Sequence, residues 1–344
     1  MKQPTFFVAV ALVLIGQIAM AQTDASKDLR VTPANFVRAE TDSYFASAIK
    51  IAGGIGKLHH YRELMPIDHQ AVVRANRDTL YSAGVFDLDA GPISITLPDA
   101  GKRFMSLMLI NEDHYVVGVW YGPGQHKITK DDAGTRYVLI GVRTFVDPAD
   151  PKDVQAVGAL QDAIKITQAK PGTFEVPAWD TTSQKKVRDA LEALGATAPS
   201  FKGAFGKKGE VDPVMHLIGT ATGWGGNPER DATYLNVTPS ENDGKTVYHL
   251  VVKDVPVDAF WSISVYNAKG YFEKNNLDAY TINNVTAKKG ADGSVAIQLG
   301  HCDSKVPNCL PITPGWNYTV RLYRPRAAIL DGSWTFPEPK KQAP

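Results

Sequence analysis

Two blocks of short runs rich in valine, isoleucine, tyrosine and threonine, separated by a charged helical stretch, constrain this chain more than any other feature. In the first block, Val72 to Val142, the runs include Ile93 to Leu97, Phe104 to Ile110, Tyr115 to Tyr121 and Tyr137 to Val142. Turn clusters such as Pro98-Asp99-Ala100-Gly101 and Gly122-Pro123-Gly124 divide them. The second block repeats the pattern at Tyr234 to Val237, Val247 to Val252, Phe260 to Tyr266, Ala279 to Val285, Val295 to Leu299 and Tyr318 to Tyr323. Short strands closed by turns pair antiparallel and stack in two layers. The expectation is a mainly β chain with α elements, in which a helical connection joins two antiparallel β-sandwich domains.

Helical signals frame these blocks. Thr32 as N-cap and Pro33 at the first helical position open a helix, its apolar face runs from Phe36 and Val37 to Ala52, and Gly53-Gly54 ends it. Lys152 to Ala169 and Thr181 to Leu194 show helical spacing on either side of Lys170-Pro171-Gly172, and a short helix over Pro213 to Ala221 starts at an Asp212 cap. The reading places an N-terminal domain at residues 32–200 and a C-terminal domain at 201–338, with the Gly/Lys-rich stretch Gly203 to Gly209 in the connection.

Residues 1–21 read as a signal peptide. Lys2 gives a positive start, Phe6 to Met20 are nearly all apolar, and Ala19-Met20-Ala21 is a small-x-small pattern predicting cleavage after Ala21. The apolar run is about 15 residues, short of the roughly 20 that span a bilayer, and no later segment is long and uncharged enough to do so. The expected location is therefore periplasmic or secreted, with no membrane span in the mature chain. Formal charge is +1 for the whole chain and falls to about zero without Lys2. Charges of both signs are interspersed, which argues against nucleic acid as a partner. In an oxidising compartment, Cys302 and Cys309 are placed to form a local disulfide that holds their loop in shape. A metal site there would need two more soft ligands, and only His301 is near.

Familiar catalytic motifs are missing: there is no Gly-x-Ser-x-Gly elbow, no His-Glu-x-x-His, no dinucleotide fingerprint and no phosphate loop, so no nucleotide cofactor is expected. The unusual run is Val73-Arg74-Ala75-Asn76-Arg77-Asp78-Thr79-Leu80-Tyr81-Ser82. If it is extended, Arg74, Asn76 and Asp78 project from one face and Ala75, Arg77 and Thr79 from the other. Polar groups inside a hydrophobic body cost several kcal/mol unless paired. They form either a satisfied structural network or a pocket in which Arg74 holds an anion and Asp78 accepts a proton or ligand. Trp224 among glycines, and the Trp261 to Asn267 segment with Tyr266, offer aromatic surface for a planar ligand, although Trp261, Ile263 and Val265 equally fit one buried face of a strand. His69 beside Asp68 and His114 beside Glu112-Asp113 are local acid–histidine pairs that read as solvated surface or as proton-transfer groups. No histidine spacing predicts a metal, while a divalent cation held by Asp and Asn oxygens leaves no spacing to read.

The same residues carry a family resemblance. The Val73 to Ser82 run resembles the signature of the domain of unknown function 1254. Its usual partner, the domain of unknown function 1214, is resembled by Phe260 to Asn267, Tyr271-Phe272 with Asn275, Pro314-Gly315 with Tyr318, Arg321-Leu322-Tyr323 and Leu330 to Trp334. The resemblance implies two jelly-roll-type sandwiches joined by a helical connection, largely in bacteria and often exported, with members suggested to be hydrolase-like or to act at the cell envelope. Members commonly carry Asn-Trp-Leu-Pro before the last strand, whereas this chain has Asn308-Cys309-Leu310-Pro311.

These readings combine into an enzyme-like protein acting on a small or envelope-derived molecule in a cleft between the sandwiches. Arg74 orients an anionic or carbonyl group, Asp78 is the acid or base with Asn76 beside it, and Tyr81, Trp224, Trp261, Tyr266 and Asn267 shape the ligand pocket. The rival is a ligand-binding or envelope-structural module with no turnover.

Overall fold

The computed structural model describes residues 28–70 and 72–342, so the expected signal at 1–21 lies outside the described residues. The chain opens with helix α1 (Phe36–Ala52), then strands β1 (His59–His60), β2 (Thr79–Asp87), β3 (Ile93–Leu97), β4 (Met105–Asn111), β5 (Val116–Tyr121) and β6 (Gly124–Ile128). Helix α2 (Lys130–Ala133), strand β7 (Tyr137–Phe145), helix α3 (Pro151–Asp162), strand β8 (Lys165–Thr167) and helices α4 (Thr181–Gly195) and α5 (Pro213–Gly223) follow. The second half holds β9 (Ala232–Val237), β10 (Tyr248–Val252), β11 (Trp261–Tyr266), β12 (Thr281–Asn283), β13 (Val295–Leu299), β14 (Cys309–Leu310), β15 (Asn317–Tyr323), α6 (Ala327–Leu330) and β16 (Lys340–Lys341). No helix among the described residues is long and apolar enough to cross a membrane.

The mainly β expectation stands. In the first half a five-stranded sheet, ordered β1-β2-β7-β4-β5, faces a three-stranded sheet, β6-β3-β8. Phe86, Leu107, Val138 and Ile140 from the larger sheet meet Ile93, Ile95 and Ile128 from the smaller. The opposite face of the larger sheet is covered too, since Val85, Ile110 and Leu139 pack under Phe45 of α1. With both faces covered, β4 has no polar-out alternation and is buried along its whole length. In the second half the sheets run β14-β13-β10-β16 and β12-β11-β15-β9, and no sheet closes into a barrel. β10 alternates buried and exposed, as an outer strand with one wet face does. The inner strands β11 and β15 are buried at every position. One of their faces, Trp261, Ile263, Val265, Tyr318, Val320 and Leu322, fills the sandwich core. The other face turns towards the N-terminal half.

Several local expectations are corrected. The first helix starts at Phe36 with Asn35 at its N-cap, and the Asn35 carboxamide instead accepts from the Thr32 N–H at 2.7 Å, folding Thr32-Pro33 into the preceding turn. The stretch Lys152 to Ala169 is not one helix: α3 ends at Asp162, and Lys165–Thr167 adds an edge strand to β3. Edge pairing there overrides helical spacing in a segment too short to bury a helix face. The strand expected through Arg74 to Asp78 begins only at Thr79, because Arg74 sits at φ 48 and breaks the extension. By contrast, the Asp212 cap with Pro213 is present, and the Cys302–Cys309 disulfide is formed.

The backbone just before β1 lies close against Gly84 of β2, where a Cβ would be 2.2 Å from the Lys57 carbonyl oxygen. Since that obstacle is backbone, Gly84→Ala is expected to lose about 1–3 kcal/mol by overpacking, measured by urea unfolding against wild type. A smaller loss would mean the β1 segment yields freely.

Candidate functional site

The inward face of β11 and β15 is polar, which is unusual for a fully buried surface. Alternation places Ser262, Ser264 and Tyr266 of β11 and Asn317, Thr319, Arg321 and Tyr323 of β15 opposite the core-facing set. All seven are buried. They need partners, and the loop before β2 supplies many of them.

Arg74 begins the loop's docking. Its N–H donates to the Gly270 carbonyl at 2.7 Å and its guanidinium to Asn317 Oδ1 at 3.2 Å. The left-handed turn at Arg74 presents two successive carbonyls to Arg321, whose Nη2 donates to Arg74 O at 2.8 Å and Ala75 O at 3.2 Å. Arg321 also donates to the Tyr266 hydroxyl at 2.7 Å and, through Nη1, to Ser264 Oγ at 2.8 Å, while the Tyr266 hydroxyl donates to Ala75 O at 2.8 Å. Burial opposes the Arg321 charge, but Tyr266, Tyr323 and Asp78 outweigh it and hold the guanidinium above its ordinary pKa.

Asp78 is fully buried. Ser262 Oγ donates to one carboxyl oxygen at 2.6 Å, and Thr281 Oγ1 and Asn283 Nδ2 approach the other at 3.4 Å each. Burial raises its pKa, although Arg321 and these three donors pull it down. Both oxygens are occupied, so Asp78 serves here as an anchor between the loop and β11–β12.

Asn76 occupies the centre. Its Oδ1 accepts the Asp78 N–H at 2.8 Å, and its Nδ2 donates to Thr79 Oγ1, to the Tyr81 hydroxyl at 3.1 Å and to the Tyr323 hydroxyl at 3.0 Å. Both phenol oxygens therefore accept from one amide, and no described residue accepts either phenolic proton. Beside them lies Arg143, the cross-strand partner of Tyr81, with its guanidinium 5.5 Å from the Tyr81 ring centroid. Arg143 donates to Asn227 Oδ1 at 3.3 Å and to Gly225 O at 3.2 Å, and no carboxylate among the described residues pairs with it. Tyr234 completes the group, its hydroxyl accepting from Asn227 Nδ2 at 2.7 Å. The residue as a whole is 40% exposed, while burial of its phenol end raises the pKa. Burial also raises Tyr323. Tyr81 differs: burial pushes it up, but Arg143, Thr79, Asn76 and Arg321 together bring it below the ordinary phenol value. A low phenol between two guanidinium groups can exchange a proton, and the raised phenols beside it remain donors to an oxygen that gains charge.

The expected site residues are thus partly brought together. Asn76, Asp78, Tyr81 and Tyr266 meet at the junction, and Arg74 docks at its edge. Trp261 does not line it; it faces the sandwich core against Phe336. Trp224 stacks on Tyr44 at 4.4 Å and donates to Thr41, buttressing α1, while the adjacent Gly225 reaches Arg143. Asn267 shapes a turn by accepting the N–H groups of Lys269 and Tyr271. His114 does not pair with Glu112-Asp113 but is buried between Thr220 and the Gly225 N–H, and burial lowers its pKa far enough to keep it neutral. Arg143, Tyr234 and Asn227 were not singled out from sequence. An arginine inside the apolar run of β7 was the available signal. Among the described residues no group of three His, Cys, Asp or Glu side chains could hold a metal ion.

Comparison with known proteins places these signatures in two families. A model described as protein of unknown function (DUF1254) matches residues 55–131, and one described as protein of unknown function (DUF1214) matches residues 233–327. The crystal structure of the VPA0106 protein from Vibrio parahaemolyticus is similar in fold, with a TM-score of 0.71 at 17% identity over 90% of this chain and 98% of its own. An uncharacterised protein from Burkholderia cenocepacia aligns over 90% of this chain and 86% of its own at 12% identity, with a TM-score of 0.49. No curated protein matches the sequence.

Two titrations test the electrostatics. Asp78 holds its proton more tightly folded than unfolded, so its contribution to stability is complete below the unfolded value of 3.8 and is lost as pH rises from there through its folded value. The stability difference between wild type and Asp78→Asn should therefore change across that interval, as read by urea unfolding at successive pH values; a pH-independent difference would contradict the raised pKa. In a phenolate absorbance titration, one tyrosine of the folded wild type should ionise below the ordinary value of 10.0 and be missing in Tyr81→Phe.

Proposed function

Because the chain belongs to the family that joins a DUF1254 domain to a DUF1214 domain, and both signatures converge on one junction, we propose that this junction is the working site of an exported, hydrolase-like enzyme. Its substrate is a small or envelope-derived molecule with a carbonyl or acid group that develops negative charge on oxygen. The observation that carries this reading is the meeting of Arg143, which has no carboxylate partner among the described residues, with the Tyr81 and Tyr323 hydroxyls held on one amide nitrogen. Export is supported by the Lys2 to Ala21 sequence and is compatible with the disulfide.

In this mechanism Tyr81, once ionised beside Arg143, takes a proton from water as the hydroxide attacks the substrate carbon. The electron pair moves to the carbonyl oxygen, where protonated Tyr323 and Tyr234 donate and Arg143 balances the charge. Collapse expels the leaving group, which takes the proton back from Tyr81. Asn76 positions both phenols through its single amide nitrogen. Asp78 and Arg74 fix the loop that carries Asn76. General-base help of this kind contributes about 10²- to 10⁴-fold, and each donor to a developing oxyanion about 10²- to 10³-fold.

The complete pairing of Asp78 favours a second reading, a binding module without turnover. Assays with p-nitrophenyl acetate, p-nitrophenyl phosphate and p-nitrophenyl sulfate, run beside thermal shifts with acetate, phosphate and sulfate, separate the two. Turnover that falls about 10²-fold or more in folded Tyr81→Phe supports the enzyme. An oxyanion shift that disappears in Arg143→Gln, with no turnover of any ester, supports the binding module. Full-rate hydrolysis by Tyr81→Phe would sink the catalytic role.

A further inference from the structure

A recess of about 430 Å³ opens in the N-terminal half and shares no residue with the junction. Arg38 and Asp42 of α1 line it, with Glu112 from the turn after β4, Lys130 of α2, and Arg136 and Trp179 on neighbouring segments. Each cation on its wall is already paired. Arg38 meets Asp113 and Glu112, Lys130 meets Asp89, and Arg136 meets Asp87, Asp89 and Glu175. On the lining itself three cations stand against three carboxylates, Asp42, Glu112 and Glu175, and of these Asp42 is the one without an ion pair among the described residues.

Of the buried side chains left without a partner, Asp42 is the one that lines this recess. It is 2% exposed, its Oδ2 accepts the Trp179 indole N–H at 2.9 Å, and its Oδ1 has no hydrogen-bond partner. Burial, then the neighbouring Glu112 and Asp113, push its pKa up to about 6 against the pull of Trp179 and Arg38. Above that pH a buried carboxylate oxygen without a partner is costly, and a charged donor is what would satisfy it. The acids are too dispersed to enclose a metal ion, since no three of them among the described residues could hold one.

We propose that this recess is a binding site for a small organic amine, whose ammonium group donates to Asp42 Oδ1 and so pairs the lining carboxylate that no wall cation meets. Trp179 fixes the carboxylate through its other oxygen and presents an aromatic wall to the carbon skeleton. The site is independent of the hydrolytic reading of the junction.

Titration calorimetry on the full chain with 1,4-diaminobutane, beside magnesium chloride and sodium acetate, tests it. The amine should bind above pH 6 and weaken below it as Asp42 takes up its proton, with Arg38, Glu112 and Asp113 as the other charged groups acting on that carboxyl. Asp42→Asn keeps an acceptor for Trp179 and removes the charge, and should weaken the amine about ten- to hundredfold. If that variant does not fold, Glu175→Lys on the exposed rim should lower amine affinity without disturbing the fold. Magnesium binding in place of the amine, no amine binding at all, or undiminished amine binding in the folded variants would each overturn the proposal.

Discussion

The structure depends on how one sheet face tolerates burial. β11 and β15 give their apolar side to a sandwich core, and that leaves a serine, threonine, tyrosine and arginine surface to be covered by the other half of the chain. A buried arginine is tolerable only when its donors are met. Arg321 meets them largely with backbone carbonyls and hydroxyls, and these exist in the right place because the chain turns left-handed at Arg74. The irregular loop is therefore the means by which two sandwiches share one interior.

That arrangement separates two roles that sequence alone had merged. Asp78 and Arg74 spend their hydrogen-bonding capacity on joining the halves. Asn76, two residues from each anchor, directs its amide nitrogen to two phenols. Anchoring residues on either side of a positioning amide leave little freedom at that amide, which is what a pre-organised polar site requires.

Much of the framework was legible because β10 and β13 keep their wet faces and so keep alternation. The first helix apart from its start, the Asp212 cap and the disulfide followed from local rules. What failed to show was what tertiary contact decides. β8 was hidden in helical spacing, since an edge strand of three residues needs only a neighbour to pair with. The polar run was visible as polar, yet its conformation was set by Gly270 and Arg321, both about two hundred or more positions away in sequence. Asn76 and Tyr81 could be picked out because polar groups in a β body demand a reason. The importance of Arg143 rests on which side chains are not beside it, and no spacing in a sequence encodes that. Trp261 was drawn to the site by its ring, when its alternation with Ser262 already assigned it to the core.

One consequence follows from the bond pair at Asn76. Tyr81 belongs to the first half and Tyr323 to the second, so if the junction binds a ligand as proposed, the smallest unit able to hold it spans both. A molecule seated there adds its binding free energy to the docked pair and to neither half alone, in proportion to the logarithm of its concentration. Occupancy would then act as a reversible cross-link, drawing two bodies with separate cores into a single melting unit, and the protein's resistance to unfolding and proteolysis would track the supply of its own ligand.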